Sequence, residues 1–230
     1  MKPTVDVFDK TWRARCDVLL AANSEADPMI RRHYLGKWPG VRVLTLALTV
    51  DGKPAGVIVF ALPPRETMKR YGCETWELAR LWVCDSVPQN GETYLISQAI
   101  KYIKRNYRHV GMLVSYADPS AGHSGVIYRA ANWKSDGRTD DDRKTPRFDY
   151  ADANSGKKYS RASHIPIGTD IKRVPRVSKW RFIYSLTTRP PPIGTELIAR
   201  PAKDSQSAFE ETARSVGIRF DDIENHENQP

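Results

Sequence analysis

Residues 55–62 constrain this chain more than any other stretch. They are almost wholly apolar, with Gly56-Val57-Ile58-Val59-Phe60-Ala61 at their centre, the pattern of a strand covered on both faces. Asp51-Gly52-Lys53-Pro54 precedes them as a hairpin turn, and residues 41–50 supply the partner strand. A strand covered on both faces needs layers on either side of its sheet.

The rest of the chain supplies those layers. Trp12, Cys16, Leu19 and Leu20 fall at helical spacing and predict a first helix over 10–22. Asp27-Pro28 reads as an N-cap and first-turn pair opening a short helix to about residue 34. Pro63-Pro64-Arg65 begins a polar loop, and a third strand runs over 75–84. Pro88-Gln89-Asn90-Gly91 leads into a long helix whose apolar face carries Ile96, Ile100 and Ile103. A strand over 110–116, a loop over 118–122 and a short helix over 124–131 follow. Residues 134–179 show little periodicity and read as a long excursion before a closing strand over 180–186. The expected fold class is α+β, a single mixed sheet flanked by helices. A domain over 1–188 carries the basic loop insertion, and 189–230 forms a flexible, disordered acidic tail with a short helix near 207–216.

Charge separates these regions. The 230 residues hold 36 Lys and Arg against 27 Asp and Glu, a formal +9. Residues 204–230 carry −5, leaving +14 on 1–203, and 134–181 alone hold thirteen cations against seven aspartates. Cations interleaved with Phe148, Tyr150, Tyr159 and Trp180 suit a nucleic acid, because they neutralise phosphates while rings stack on an extruded base. The alternative is a solvated loop with scattered charge. Forty percent apolar residues suffice for a core, and no run approaches a membrane span or a signal peptide. Cys16, Cys73 and Cys84 are odd in number and lack metal spacing. A soluble, cytoplasmic protein with free thiols is expected.

Three segments could carry chemistry. The turn over 83–92 passes from a strand into a helix, where backbone N–H groups can hold a phosphate. Asp118, at the end of the next strand, is either a proton acceptor or a turn cap before Pro119. Tyr128, four residues after Ser124, could protonate a leaving group or pack as a core tyrosine with its hydroxyl at the rim. Glu77 and Arg80, three apart on a strand, are expected on opposite faces, with Arg80 either structurally paired or anion-binding. The five histidines lack close metal-ligand spacing, so a zinc site is not expected. Serine-hydrolase, P-loop and dinucleotide-binding fingerprints are absent.

His33-Tyr34-Leu35-Gly36-Lys37-Trp38-Pro39-Gly40, Leu62-Pro63-Pro64-Arg65-Glu66-Thr67, Trp76-Glu77-Leu78-Ala79-Arg80-Leu81-Trp82, Val114-Ser115-Tyr116-Ala117-Asp118-Pro119 and Ile127-Tyr128-Arg129-Ala130-Ala131-Asn132-Trp133 together resemble the Mom DNA-modification proteins of Mu-like phages. The resemblance covers roughly residues 10–186. It implies a fold of the GNAT acyltransferase superfamily and conversion of DNA adenine to its N6-carbamoylmethyl (acetamido) form, which protects phage DNA from host restriction. Position by position it implies catalytic roles for Asp118, Tyr128, Arg80 and Ser124. It implies a coenzyme A site at Val83, Val87, Gln89, Asn90, Gly91 and Glu92, where one glycine replaces the family's usual glycine-rich turn. His33 and Tyr34 are the implied ligands should iron be bound.

The expectation is an enzyme acting on double-stranded DNA in the cytoplasm of an infected bacterial host, with acetyl-CoA or a related acyl donor. Arg65, Lys69, Arg70, Arg143, Lys144, Arg147, Lys157, Lys158 and Arg161 would contact the DNA. The alternatives are an acetyltransferase acting on a protein or small-molecule amine, a non-catalytic DNA-binding module, and an adenine methyltransferase, the last without a glycine-rich donor loop. A dimer is compatible with the sequence.

Overall fold

The computed structural model describes residues 10–72, 74–141, 143–159 and 162–186. The acidic tail, Cys73 and Arg161 lie outside the described residues. The described residues divide into two compact units, one comprising those within 10–114 and 184–186 and the other those within 115–183.

The first unit is built on the expected hairpin. Strands β2 (Arg42–Val50) and β3 (Lys53–Ala61) pair antiparallel. Asp51 at φ 51° and Gly52 at φ 72° form the two-residue turn between them, left-handed at both positions as such a turn requires. Residues 55–61 of β3 are all buried. Helix α1 (Asn23–Ile30) covers one face, placing Ala26, Met29 and Ile30 against Val57 and Val59. Strand β4 (Thr75–Val83) pairs with β3, and helix α3 (Gly91–Asn106) packs on β3 and β4 through an apolar face that includes Leu95, Ile96 and Ile103. Strand β5 (Met112–Ala117) pairs parallel with β4 over Thr75–Glu77 and Met112–Val114. The described sheet is thus mixed and flanked by helices, as expected.

Three local expectations are overturned in this unit. Residues 10–22 do not form one helix: Lys10–Arg15 make a 3-10 turn, and Cys16–Leu20 form strand β1, paired antiparallel with β2. Trp12 is buried, whereas Leu19 and Leu20 remain about 60% exposed on that strand. Cross-strand bonds to β2 decide the conformation where apolar spacing suggested a helix. Helix α1 starts four residues before Asp27, because Glu25 accepts the Ala22 N–H at 2.8 Å and sets the first turn. Pro28 sits inside α1, and removes one backbone bond from an eight-residue helix. The segment after Pro63 is helix α2 (Arg65–Tyr71), not a loop. Pro64 at its N-cap has no helical N–H to lose, and Glu66 opens while Lys69 and Arg70 close the helix.

The second unit contains helix α4 (Val126–Ala130), strand β6 (Lys134–Arg138) and strand β10 (Trp180–Ser185), with β10 antiparallel to β6. Within the first unit the strand order is β1-β2-β3-β4-β5, and within the second β10 lies beside β6. The excursion carries a second sheet in which β7 (Phe148–Asp152) pairs with β8 (Lys158–Tyr159) on one side and β9 (Ile171–Pro175) on the other. Its order comes from pairing across the excursion, which local periodicity does not display.

Candidate active site

Strand β4 bends the alternation that the sequence suggests. Val59 pairs with Arg80 and Phe60 with Leu78, leaving Ala79 as an extra residue. This bulge returns Arg80 to the face of Glu77, which pairs with Ala61, two residues after Val59. Glu77 and Arg80 therefore share a face, contrary to expectation. Arg80 is 9% exposed and donates from Nε to the Lys37 carbonyl at 2.8 Å, from Nη1 to the Ala79 carbonyl at 2.6 Å and from Nη2 to the Trp38 carbonyl at 3.4 Å. Burial pushes its guanidinium pKa down, and nearby Tyr34 and Glu77 oppose that shift. These bonds tie Arg80 to the Lys37–Trp38 segment.

The chain that Arg80 grips is the segment containing His33 and Tyr34. Trp38 Nε1 donates to Asp27 at 2.9 Å, and Arg42 stands 4.8 Å over the Trp38 ring. The His33 and Tyr34 rings pack at 4.5 Å, tilted by 40°, and His33 Nδ1 accepts the Leu35 N–H at 3.2 Å. Among the described residues no three His, Cys, Asp or Glu side chains gather as a metal site. His33 and Tyr34, the residues considered for iron, thus draw no support from such a cluster, and His33 Nδ1 already accepts the Leu35 N–H.

At the other end of β4, the turn into α3 matches its expected form. Asn90 is left-handed at φ 75° and caps α3, whose first residue Gly91 is buried. A Cβ at Gly91 would lie 2.7 Å from Val87 and 3.1 Å from Val83, so this close approach requires glycine. The N–H groups of Glu92 and Thr93 lie in the first turn, where the helix has no acceptor for them. Gln89 is exposed beside them. Such a terminus attracts anions, although Glu92 places a like charge in the same turn. Cys84, unremarked in the sequence as a site, stands before this turn. Ser86 donates to its sulfur at 3.2 Å and holds the thiol below its ordinary pKa.

In the second unit, Tyr128 on α4 is 7% exposed and its hydroxyl accepts from Ser115 at 2.8 Å. Phe182 stacks on its ring at 5.1 Å and Trp133 packs at 5.5 Å. Ser115 was not singled out, although a serine within the buried run Met112–Ala117 needs a polar partner. Asp118 is engaged at both oxygens: Ser120 donates its N–H and hydroxyl to Oδ1 at 3.0 and 2.6 Å, and Lys179 Nζ lies 3.0 Å from Oδ2. Burial pushes its carboxyl up, but the Ser120 bonds and the Lys179 charge outweigh it and hold the group below the usual range. Asp118 thus caps the 3-10 turn that follows it. Ser124 is exposed, and its carbonyl accepts from Arg129 at 3.0 Å.

Cations of the excursion are partly satisfied by its own acids. Arg147 lies 3.5 Å from Asp140, Arg176 donates from Nε to Asp149 at 2.8 Å, and buried Arg181 donates to Asp136 at 2.8 Å. Arg143, Lys144, Lys157 and Lys158 are exposed. Lys157 stands 5.4 Å over the Tyr159 ring. On α2 of the first unit, Arg65 is exposed, Lys69 pairs with Glu66 at 3.3 Å and Arg70 lies over Tyr71.

A mixed-sheet α+β protein, with a strand-to-helix turn open to an anion and a buried tyrosine–serine pair, is the class these features define. The chain belongs to the Mom protein family, whose profile matches residues 17–191. It is 42% identical over 109 residues to the "Methylcarbamoylase mom" of Escherichia phage Mu, an alignment covering 44% of this chain and 45% of that protein. Similar solved structures include the ribosomal-protein-S18-alanine N-acetyltransferase of Escherichia coli, 14% identical, with 78% of this chain and 99% of that chain covered and a TM-score of 0.47. Another is a Bacillus subtilis acetyltransferase in complex with CoA, also 14% identical, with 75% and 99% covered and a TM-score of 0.46. No helix among the described residues is long and apolar enough to cross a membrane.

Proposed function

We propose that this protein is a transferase that converts the N6 amino group of adenine in double-stranded DNA to its carbamoylmethyl form. Membership of the Mom family over residues 17–191 is the observation that carries this reading. The exposed cations of α2 and of the excursion supply phosphate contacts. An acyl-coenzyme A fits the turn into α3: Glu92 and Thr93 N–H groups with Gln89 and Asn90 would hold its pyrophosphate, Val83 and Val87 would flank it, and it would supply an activated acyl carbon.

Adenine N6 is a weak nucleophile because its lone pair is delocalised into the ring, so the protein must manage its protons. Tyr128, with Ser115 hydrogen-bonded to its hydroxyl, is the proton donor. Asp118 is ionised and paired with Lys179, a fixed dipole at the end of β5. Arg80 holds its strand and the 37–38 segment in place. Ser124 offers an exposed hydroxyl at the start of α4. Simple acetyl transfer would join N6 to a carbonyl carbon, whereas the family's product is joined through a methylene carbon and ends in an amide. Acetyl-CoA alone therefore does not balance the reaction, which needs a rearrangement, an oxidation or a different donor as well as a source for the amide nitrogen.

The test is mass spectrometry of nucleosides from the DNA of expressing bacteria. A carbamoylmethyl-deoxyadenosine peak that disappears in Tyr128→Phe, with folding retained, is expected. Unmodified DNA from the parent protein would refute the reading, and an acetylated protein in its place would favour an acetyltransferase.

A further inference from the structure

We propose that a cavity beside Glu77, in the first unit, is the pocket that binds the extruded adenine ring, a role that rests on the adenine reading above. The cavity measures about 430 Å³, within the range of roughly 300–1,000 Å³ typical of small-molecule sites. Its walls are largely apolar, formed by Pro39, Leu62, Pro63, Pro64 and Met68, and Ala79 of the β4 bulge also lines it. Two charged residues line the same space: Glu77 and Arg65. Apolar walls with one carboxylate are the complement of a heteroaromatic ring bearing an N–H donor, since the carboxylate accepts from the exocyclic amine and the walls bury the faces. Arg65 opens helix α2, so a phosphate entering with the base meets its cation at the same wall.

The bulge contributes to one wall of this pocket through Ala79. Without the extra residue Ala79, Glu77 would not share the face of Arg80. Arg80 in turn binds the Lys37 and Trp38 carbonyls, immediately before Pro39-Gly40-Val41 of the cavity wall. Glu77 is assigned as a recognition residue that selects an amino group over a carbonyl at purine C6.

The probes are short, fluorescently labelled single-stranded oligothymidylates carrying one central adenine, hypoxanthine or N6,N6-dimethyladenine, with binding read by anisotropy on the full chain without donor. The adenine probe should bind about tenfold more tightly than either of the others, the scale of one hydrogen bond to a charged acceptor. Hypoxanthine presents a carbonyl and dimethyladenine no N–H, so this comparison needs no variant. Glu77→Gln should abolish the preference over hypoxanthine, because an amide also donates to the hypoxanthine carbonyl, while its own carbonyl still accepts from adenine and keeps a weaker preference over dimethyladenine. Arg65→Ala should weaken all three probes by one common factor. Equal binding of the three probes by the parent, or an unchanged preference over hypoxanthine in a folded Glu77→Gln, overturns the proposal. If base preference is absent while carbamoylmethyl-adenine still forms in cells, this pocket assignment alone fails. If base preference is present but cellular DNA stays unmodified, the transferase reading fails instead.

Discussion

Replacing Gly125 with alanine is expected to be among the more destabilising single-methyl additions in the second unit. Gly125 caps α4 at φ 76°, and a Cβ there would come within 2.2 Å of the Phe182 ring. Two costs add. A left-handed conformation costs an L-residue about 1–2 kcal/mol, and forcing a methyl into a packed ring costs about 1–3 kcal/mol. The sum, about 2–5 kcal/mol, is a large share of the roughly 5–15 kcal/mol by which domains are stable. Urea unfolding of Gly125→Ala, Phe182→Ala and the double variant separates the terms. Phe182→Ala alone should cost about 3–5 kcal/mol. The double variant should be more stable than the two single losses predict by about 1–3 kcal/mol, because removing the ring removes the collision and leaves only the backbone penalty. A Gly125→Ala protein within about 0.5 kcal/mol of the parent, or losses that simply add, would refute this account. Because Phe182 also stacks on Tyr128, Gly125→Ala should lower modification of DNA along with stability.

Gly91→Ala should destabilise by about 1–3 kcal/mol through the 2.7 Å approach to Val87, with partial recovery in Val87→Ala, read by thermal melting. Tyr128→Phe strands the buried Ser115 hydroxyl and should cost about 1–3 kcal/mol, reduced when Ser115→Ala is added; an unchanged melt in both would place the pair outside the folded core. The Asp118 carboxyl is held low, so its contribution to stability is complete above the unfolded aspartate value near 4 and is lost as pH falls through its lower folded value. Asp118→Asn should flatten the acid limb of a stability–pH curve, and an unaltered limb would contradict the Lys179 and Ser120 bonding. Lys157→Ala and Lys158→Ala should each make the plot of log binding constant against log salt shallower by about one for double-stranded DNA, whereas Arg181→Ala, already bonded to Asp136, should leave that slope alone.

What could be read from the sequence follows the reach of its interactions. The β2–β3 hairpin and α3 were legible because a two-residue turn and a continuous apolar face are local signals. Trp12, Cys16, Leu19 and Leu20 misled because apolar spacing also fits a turn followed by an edge strand, and only pairing with β2 decides between them. Pro63-Pro64 marked a chain break correctly but hid the helix it begins. In the excursion, Phe148–Asp152 finds its partner strand more than twenty residues onward at Ile171–Pro175, beyond any local window. The strand-to-helix turn and Asp118 were visible as segments. Ser115, the partner of Tyr128, and Lys179, the partner of Asp118, were not, since each is fixed by a bond to a residue distant in sequence. Glu77 was visible as a charge on a strand, but its neighbours were hidden by one inserted residue.

That inserted residue, Ala79, bears on how activity data from this strand will be interpreted. Arg80 reaches the Lys37 and Trp38 carbonyls because the bulge aims it there, and those carbonyls fix the first wall of the Glu77 cavity. Shortening Arg80 to lysine should therefore loosen the pocket, raising KM for DNA more than it lowers kcat. An inactive Arg80 variant assayed at a single, low DNA concentration would mimic the loss of a reacting group, and saturating DNA should restore much of its turnover.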